Sequence, residues 1–366
     1  FVVCMTAGLM APQVPLDSKG VLYAISGNLC RCTGYGSIRD AGKEAVNAVR
    51  DQLKDKERIR ALVDAKALPE YFLDITDRLL KIPTYNTDNT QDPKRMRTLV
   101  AGGTDLYVQR REKLIDEPIT LLNTGKPIAS AYISDDKLVL DPRITFESFS
   151  TDPLVSSILK GIHKYNLLMA SWPIRTRSTL GGNLCNASPI ADMTCLLMAL
   201  ESNITLTNHN GENRVIPLNE FYLGYKKLNK SSDEIVTKIS FPVVKENTHI
   251  SWEKVSKRAW LDIATVNVSS KITINDGYFS AASIAIGGVA AIPLYLAKSS
   301  EYLINKPFTV DSIINCLKIS QSEFNPIGDI RGSALYKRML ARQLLLANFV
   351  NISSESLDIN ELYEAL

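Results

Sequence analysis

Thr179-Leu180-Gly181-Gly182-Asn183-Leu184-Cys185-Asn186-Ala187-Ser188-Pro189-Ile190-Ala191-Asp192 is the stretch on which the fold turns. Two adjacent glycines run into the polar side chains of Asn183, Asn186 and Ser188. Ser188 followed by Pro189 predicts a capped helix N-terminus. Ile190, Met193, Leu197 and Leu200 then recur at helical spacing, giving a helix over 189–201 one buried face. A glycine-rich loop feeding a helix suits a dinucleotide, because backbone N–H groups can meet its phosphates. A capped turn before a core helix explains Pro189 and Asp192 as well, but not the run of glycines and amides.

A second loop of this kind lies upstream. Leu99-Val100-Ala101 reads as a short strand, Gly102-Gly103-Thr104-Asp105 as a loop, and Leu106 as the start of a helix. No third glycine follows at nicotinamide-fingerprint spacing. Asp105 would repel a phosphate, so it is expected to cap the helix or point at a hydroxyl. Alone, this loop also reads as a plain tight turn.

The third feature is Gly27-Asn28-Leu29-Cys30-Arg31-Cys32-Thr33-Gly34-Tyr35-Gly36. Cysteines one residue apart in a glycine-rich turn can aim two thiolates at one point. Arg31 and the following helix N-terminus favour thiolate over thiol. Two thiolates do not close a metal site, which takes four ligands. Cys4 lies on an apolar helix. On these residues alone, two idle cysteines remain an equal alternative.

Around these motifs the chain divides. Residues 1–54 read as all-α, with Ile38, Ala41, Ala45, Val49 and Leu53 forming a helical face after Gly36. Residues 55–82 read as a charged linker or solvated helix, 83–242 as one α+β domain and 243–366 as another. Strands are predicted at 137–140, 204–206, 234–241, 264–274 and 278–286, and helices at 153–166 and 331–350. The uncharged stretch 277–297 carries Gly287, Gly288 and Pro293, so it reads as strand and turn rather than a membrane span. The opening Phe1-Val-Val-Cys-Met lacks a signal-peptide pattern and resembles the middle of a helix, as if the chain begins inside a domain.

Of the 366 residues, 45% are hydrophobic and 22% charged, an ordinary globular composition. With 42 Lys and Arg against 39 Asp and Glu, the net charge of +3 argues against nucleic acid or an anionic membrane as partner. Six cysteines are too few for a disulfide scaffold and suit a reducing, cytoplasmic setting. His163, His209 and His249 stand in no catalytic pattern.

Together the three motifs resemble the molybdenum hydroxylase family of xanthine dehydrogenases, aldehyde oxidases and carbon monoxide dehydrogenases. The turn 27–35 is similar to the signature of that family's helical [2Fe–2S] domain. The resemblance implies that Cys30 and Cys32 supply half of a cluster's ligands, the other half coming from a Cys-x-x-Cys that this sequence does not contain. Loops 99–106 and 179–192 resemble the flavin-binding segments of the family's FAD domain, in the same order and separation. By that likeness Val100, Ala101, Gly102, Gly103, Thr104, Asp105 and Leu106 wrap the FAD diphosphate. Thr179, Gly182, Asn183, Asn186 and Ser188 contact the phosphates and flavin, and Asp192 the ribityl or ribose hydroxyls. Ile235 and Val236 resemble a strand edge against the cofactor, and Lys254 a basic residue near the flavin. Where many relatives carry an acidic pair, this chain has Leu261-Asp262. The tail 325–336 resembles the end of the flavoprotein C-terminal domain.

The resemblance implies an N-terminally incomplete α+β protein: a helical [2Fe–2S] remnant, a two-part FAD domain and a C-terminal flavoprotein domain. It is most similar to the iron–sulfur/FAD small subunit of bacterial two-subunit xanthine dehydrogenases. Such a subunit passes electrons from [2Fe–2S] clusters through FAD to NAD+ or another acceptor, in a hetero-oligomer with a molybdenum–pterin large subunit that oxidises purines. Related aldehyde, CO or N-heterocycle hydroxylases fit the same motifs. A non-redox flavin-binding or assembly protein, a small-molecule flavin oxidase and a zinc-clipped α domain on an α+β body are the alternatives of other classes.

Overall fold

The first flavin-type glycine motif, Gly102-Gly103, sits where a strand ends and a helix begins, so its sheet fixes its position. The computed structural model describes residues 1–53, 57–83, 98–122, 131–352 and 362. The chain divides into two units. One is Phe1–Lys94 with Ala170–Ile174, and the other is Arg95–Met169 with Arg175–Leu366.

The first unit is helical: α1 Val2–Met10, α2 Ser18–Ala24, α3 Gly36–Leu53, α4 Arg58–Asp64 and α5 Ile75–Leu80, with a 3₁₀ turn Glu70–Asp74. Its core gathers Val49, Ala61, Leu62 and Leu68, with Leu9, Met10 and Leu16 packed against them. Residues 58–64 are therefore a helix, one of the two readings of this charged stretch, but one with a buried side rather than a fully solvated one. Ala61 and Leu62 face inward, and Arg58 turns its guanidinium onto the carbonyls of Ala11 and Val14. A strap from the middle of the chain completes this unit. Trp172 stacks at a tilt on Tyr23, 5.5 Å between centroids, and its amide donates to the Ser26 hydroxyl.

The second unit is α+β. Strands β1 Thr98–Val100 and β2 Ile119–Leu121 pair in parallel. Helices α6 Leu106–Gln109 and α7 Arg111–Asp116 lie between them. Strands β3 Tyr132–Ser134, β4 Lys137–Leu140, β5 Asn203–Thr207, β6 Asn213–Pro217 and β9 Ile235–Pro242 form an antiparallel sheet of order β3-β4-β9-β5-β6. Strands β7 Tyr222–Gly224 and β8 Lys227–Leu228 make a small hairpin. A four-stranded sheet follows: β10 Thr248–Val255, β11 Val266–Asn275, β12 Tyr278–Gly287 and β13 Leu294–Tyr295.

Helices α8 Phe146–Thr151, α9 Pro153–Ile158, α10 Ile162–Asn166, α11 Trp172–Arg175, α12 Leu180–Asn186 and α13 Asp192–Ala199 precede β5. Three more, α14 Ala297–Leu303, α15 Val310–Ser320 and α16 Ala334–Ile352, close the chain. One core joins the five-stranded sheet to α8, α12 and α13 through Leu138, Leu206, Phe241, Phe149, Leu184 and Leu197. The other joins the four-stranded sheet to α14, α15 and α16 through Val268, Ile284, Leu303, Ile313, Leu345 and Phe349.

The predicted strands match β4, β5, β9, β11 and β12 closely. The helix expected over 153–166 is instead two, α9 and α10, separated by Gly161 at φ +81°. A left-handed residue cannot continue a right-handed helix. The uncharged stretch 277–297 is β12, a turn at Gly288 and β13. Among the described residues, no helix is long and apolar enough to cross a membrane.

Phe279 is fully buried, with its ring edge-on to Phe308 and Phe349 at 5.2 and 6.2 Å. Phe279→Ala should cost about 3–5 kcal/mol by opening a cavity that rigid neighbours do not fill. Guanidinium unfolding measures the loss directly.

Candidate functional site

Strand β1 ends at the fully buried Val100, and the chain turns through Ala101–Asp105 before α6 begins. Gly102 is pressed against the backbone of the second loop: a Cβ there would fall 1.8 Å from the Arg177 carbonyl oxygen. Gly103 has φ +71°, a conformation that disfavours a side chain. Thr104 and Ser178 link the loops by a hydroxyl–hydroxyl hydrogen bond of 3.0 Å. The amides of Gly102, Gly103, Thr104 and Asp105 reach no acceptor among the described residues. Successive free N–H groups around a left-handed glycine form a concave anion site. Asp105 does not cap α6; its carboxylate accepts from the Gln109 side chain at 2.9 Å.

The second loop is built differently from its reading in sequence. Gly181 and Gly182 lie inside α12, whose N-cap is Thr179. The amides of Leu180, Gly181, Gly182 and Asn183 are already taken, by Ile144 O, Pro142 O, Thr179 Oγ1 and Thr179 O. The loop therefore offers side chains and shape rather than N–H groups. Asn183 accepts from the Thr194 hydroxyl at 3.0 Å, and Asn186 accepts from Lys226 through its Oδ1 at 2.8 Å. Nor does Ser188 cap a helix. The Ser188 carbonyl accepts from Ala191 N and the Pro189 carbonyl from Gly288 N, so 188–191 is a turn docked on β12. Helix α13 starts only at Asp192.

Asp192 and Lys254, 62 residues apart, form a largely buried ion pair of 2.6 Å. Lys254 Nζ also donates to the carbonyls of Leu168 and Asp262, at 2.9 and 3.2 Å. Its three protons are thus all used. Burial pushes the Asp192 carboxyl up, while Lys254 and the Asn267 amide oppose that rise. Its second oxygen, Oδ1, is buried and has no hydrogen-bond partner among the described residues. A cavity of about 320 Å³ opens beside Lys254, lined by Leu168, Lys257 and Arg258 among others.

Ile235 and Val236 begin β9, opposite Thr207 and Leu206 of β5. No hydrogen bond joins them to either glycine loop. The preceding Glu234 is clamped by Arg214, with Nε at 2.6 Å and Nη2 at 2.9 Å from its two oxygens. The Arg214 bonds, helped by the Ser231 amide, hold the Glu234 carboxyl down at about 2.

In the helical unit, Cys30 and Cys32 sit in the turn between α2 and α3 with their sulfurs 3.3 Å apart. Tyr35, at φ +64°, accepts from the Cys30 amide through its hydroxyl at 2.8 Å. The Thr33 hydroxyl donates to Cys30 Sγ at 3.1 Å and, with backbone N–H groups, lowers that thiol to about 7. Thr33, not the expected Arg31, favours the thiolate. Among the described residues no group of three or more His, Cys, Asp or Glu is arranged to hold a metal. Ser178, Thr194, Lys226 and Asn267 escaped sequence reading. Ser178, Lys226 and Asn267 join the site through contacts 40 to 77 residues away, and Thr194 through one with the preceding helix.

Residues 89–244 match the family described as FAD binding domain in molybdopterin dehydrogenase, and 253–351 the CO dehydrogenase flavoprotein C-terminal domain. Xanthine dehydrogenase 1 of Arabidopsis thaliana is 33% identical over 88% of this chain. The chain spans only 29% of that relative's length. The nicotinate dehydrogenase FAD-subunit of Eubacterium barkeri is 25% identical over 69% of this chain and 87% of its own. In structure, the carbon monoxide dehydrogenase of Hydrogenophaga pseudoflava has the same fold, with a TM-score of 0.65 and 24% identity over 70% of this chain and 90% of its own.

Lys254→Met should leave Asp192 buried without a counter-charge and cost about 3–5 kcal/mol. The double variant Asp192→Asn/Lys254→Met should recover most of that loss; denaturant unfolding of all four proteins closes the cycle. The depressed Glu234 carboxyl has a separate signature. Its contribution to stability is complete above its ordinary value of 4.5 and drains away as pH falls towards about 2. Arg214→Met should flatten this slope in acid-unfolding profiles.

Proposed function

The chain belongs to the FAD-binding flavoprotein part of the molybdenum hydroxylase family, and from that premise we propose that it is an electron-transfer subunit that holds FAD between its two glycine loops. The observation that carries this reading is the row of unpartnered amides from Gly102 to Asp105 around the left-handed Gly103. A diphosphate is the anion such a row suits, and the close approach to Arg177 fixes the row in place.

In this reading Val100 to Leu106 wraps the diphosphate. Thr179 and Gly182 shape the opposite wall, and Asn183, Asn186 and Ser188 address the phosphates and flavin side. Asp192 takes a ribityl or ribose hydroxyl, while Lys254 orients that carboxylate and places positive charge near the ring. Ile235 and Val236 give an apolar edge that excludes water. FAD held there would supply two-electron redox chemistry, with iron–sulfur centres as the donor and NAD+ or another acceptor as the recipient that this reading implies. Cys30 and Cys32 are two of the four thiolates that a [2Fe–2S] cluster takes. The described residues bring no further ligand to them.

The substrate of the whole enzyme is a purine, oxidised at a molybdenum–pterin centre on a partner large subunit in the cytoplasm. Support comes from the plant xanthine dehydrogenase and from relatives whose FAD-binding part is a subunit of its own. N-heterocycle hydroxylation is the second reading, favoured by the nicotinate dehydrogenase FAD-subunit, of which this chain covers 87%.

The purified protein should carry close to one releasable FAD per chain, with visible bands that bleach on dithionite. Gly102→Ala should lower flavin affinity about tenfold or more, a loss of about 1.4 kcal/mol, with far-UV dichroism unchanged. A colourless protein that takes up no added FAD would overturn the proposal.

A further inference from the structure

The two faces of β11 treat their polar residues differently. Towards α16, Ser270 donates to Asn348 at 2.8 Å, and neighbouring Ser251 of β10 accepts from Asn351 at 3.1 Å. Towards α13 the register aligns Lys254, Asn267 and Gly287, then Trp252, Ser269 and Ala285, then Lys271 and Ser283. Helix α13 covers these rows: Asp192 pairs with Lys254, and a Cβ on Gly287 would meet both Asn267 and Cys195 Sγ.

On this face Asp192 Oδ1, Asn267 Oδ1, Trp252 Nε1, Ser269 Oγ and Ser283 Oγ are all buried without a hydrogen-bond partner among the described residues. Asn267, Ser269, Trp252 and Ser283 are each at most 1% exposed. Five orphaned polar atoms in one seam is not how a native interior is built, because buried polar groups are bonded to protein or to ordered water. The small residues Ala285 and Gly287 lie between them. Alternate residues of a strand stand about 6.6–6.8 Å apart and neighbouring strands about 4.8 Å apart. These spacings set the polar side chains of successive rows in line along one face of the sheet. The far end reaches solvent, where Lys271 pairs with Glu201, whose side chain is half-exposed.

We propose that the seam between α13 and the β10–β12 sheet binds a file of internal waters leading from the Asp192–Lys254 ion pair to the surface pair Lys271–Glu201. The file satisfies the stranded hydroxyls and indole, and it gives the buried Asp192 carboxyl a hydrogen-bonded route to solvent behind the glycine loops. The inference rests on the strand register and the orphaned atoms, and it stands whether or not FAD binds.

Water oxygen-17 relaxation dispersion on the full chain counts long-lived internal waters. The double variant Ser269→Ala/Ser283→Ala should lose the signal of one or more such waters relative to the parent. Its thermal midpoint should also fall, since each deleted hydroxyl removes a partner from a bound water. An unchanged dispersion amplitude would overturn the proposal, and a raised midpoint with it would mark the seam as dry. Ser283→Ala alone, a milder change, is read in the same way should the double variant not fold.

Discussion

Strand β11 is buried on both faces along most of its length, and the second unit depends on that constraint. A strand so placed must be covered twice. One cover is the α14–α16 layer, met by Val266, Val268 and Ile272. The other is α13, which also belongs to the core of the five-stranded sheet. Trp252 and Ala285 lie on that side. The two cores are thus not independent, because they share a sheet. Asp192, the first residue of α13, meets Lys254 near the end of β10.

The candidate site follows from this packing. Its two glycine segments divide the work between them. The first leaves its amides open among the described residues, since Gly102 packed against Arg177 and the Thr104–Ser178 hydroxyl bond hold it in place. The second uses its amides to build α12. Rigidity on one side and open donors on the other is what anion recognition requires of a preformed site. The Asp192–Lys254 pair adds fixed charge of both signs at modest net cost, because Lys254 also satisfies two backbone carbonyls.

Much of this was legible in the sequence, for local reasons. Gly102 and Gly103 are glycines because no side chain fits, and such positions stand out. Strands β11 and β12 have composition and turn residues that only a buried hairpin satisfies. The misreadings share a cause. Gly181-Gly182 looked like a loop because glycine is a poor helix former, yet the Thr179 cap and the Pro142 carbonyl hold it in helical geometry. Ser188-Pro189 carries an N-terminal signature, but Gly288, in the turn after the distant strand β12, claims the Pro189 carbonyl. The charge of 58–64 hid Ala61 and Leu62, whose burial depends on partners elsewhere in the helical unit. The partners of Asp192, Asn186 and Thr104 lie 40 to 74 residues away and leave no periodic trace.

The strap at 170–174 bears on how this protein could be divided by gene fission. The helical unit is not a continuous run of chain: Trp172, stacked on Tyr23, is encoded in the middle of the α+β unit. A split near residue 94 therefore separates two polypeptides but not two structural modules. A free-standing N-terminal product would lack the indole that covers Tyr23, and its counterpart would carry an aromatic tongue without a seat. Splitting such a gene cleanly demands compensating changes at Tyr23 and Trp172, so their identities would record whether a related pair of chains was once a single one.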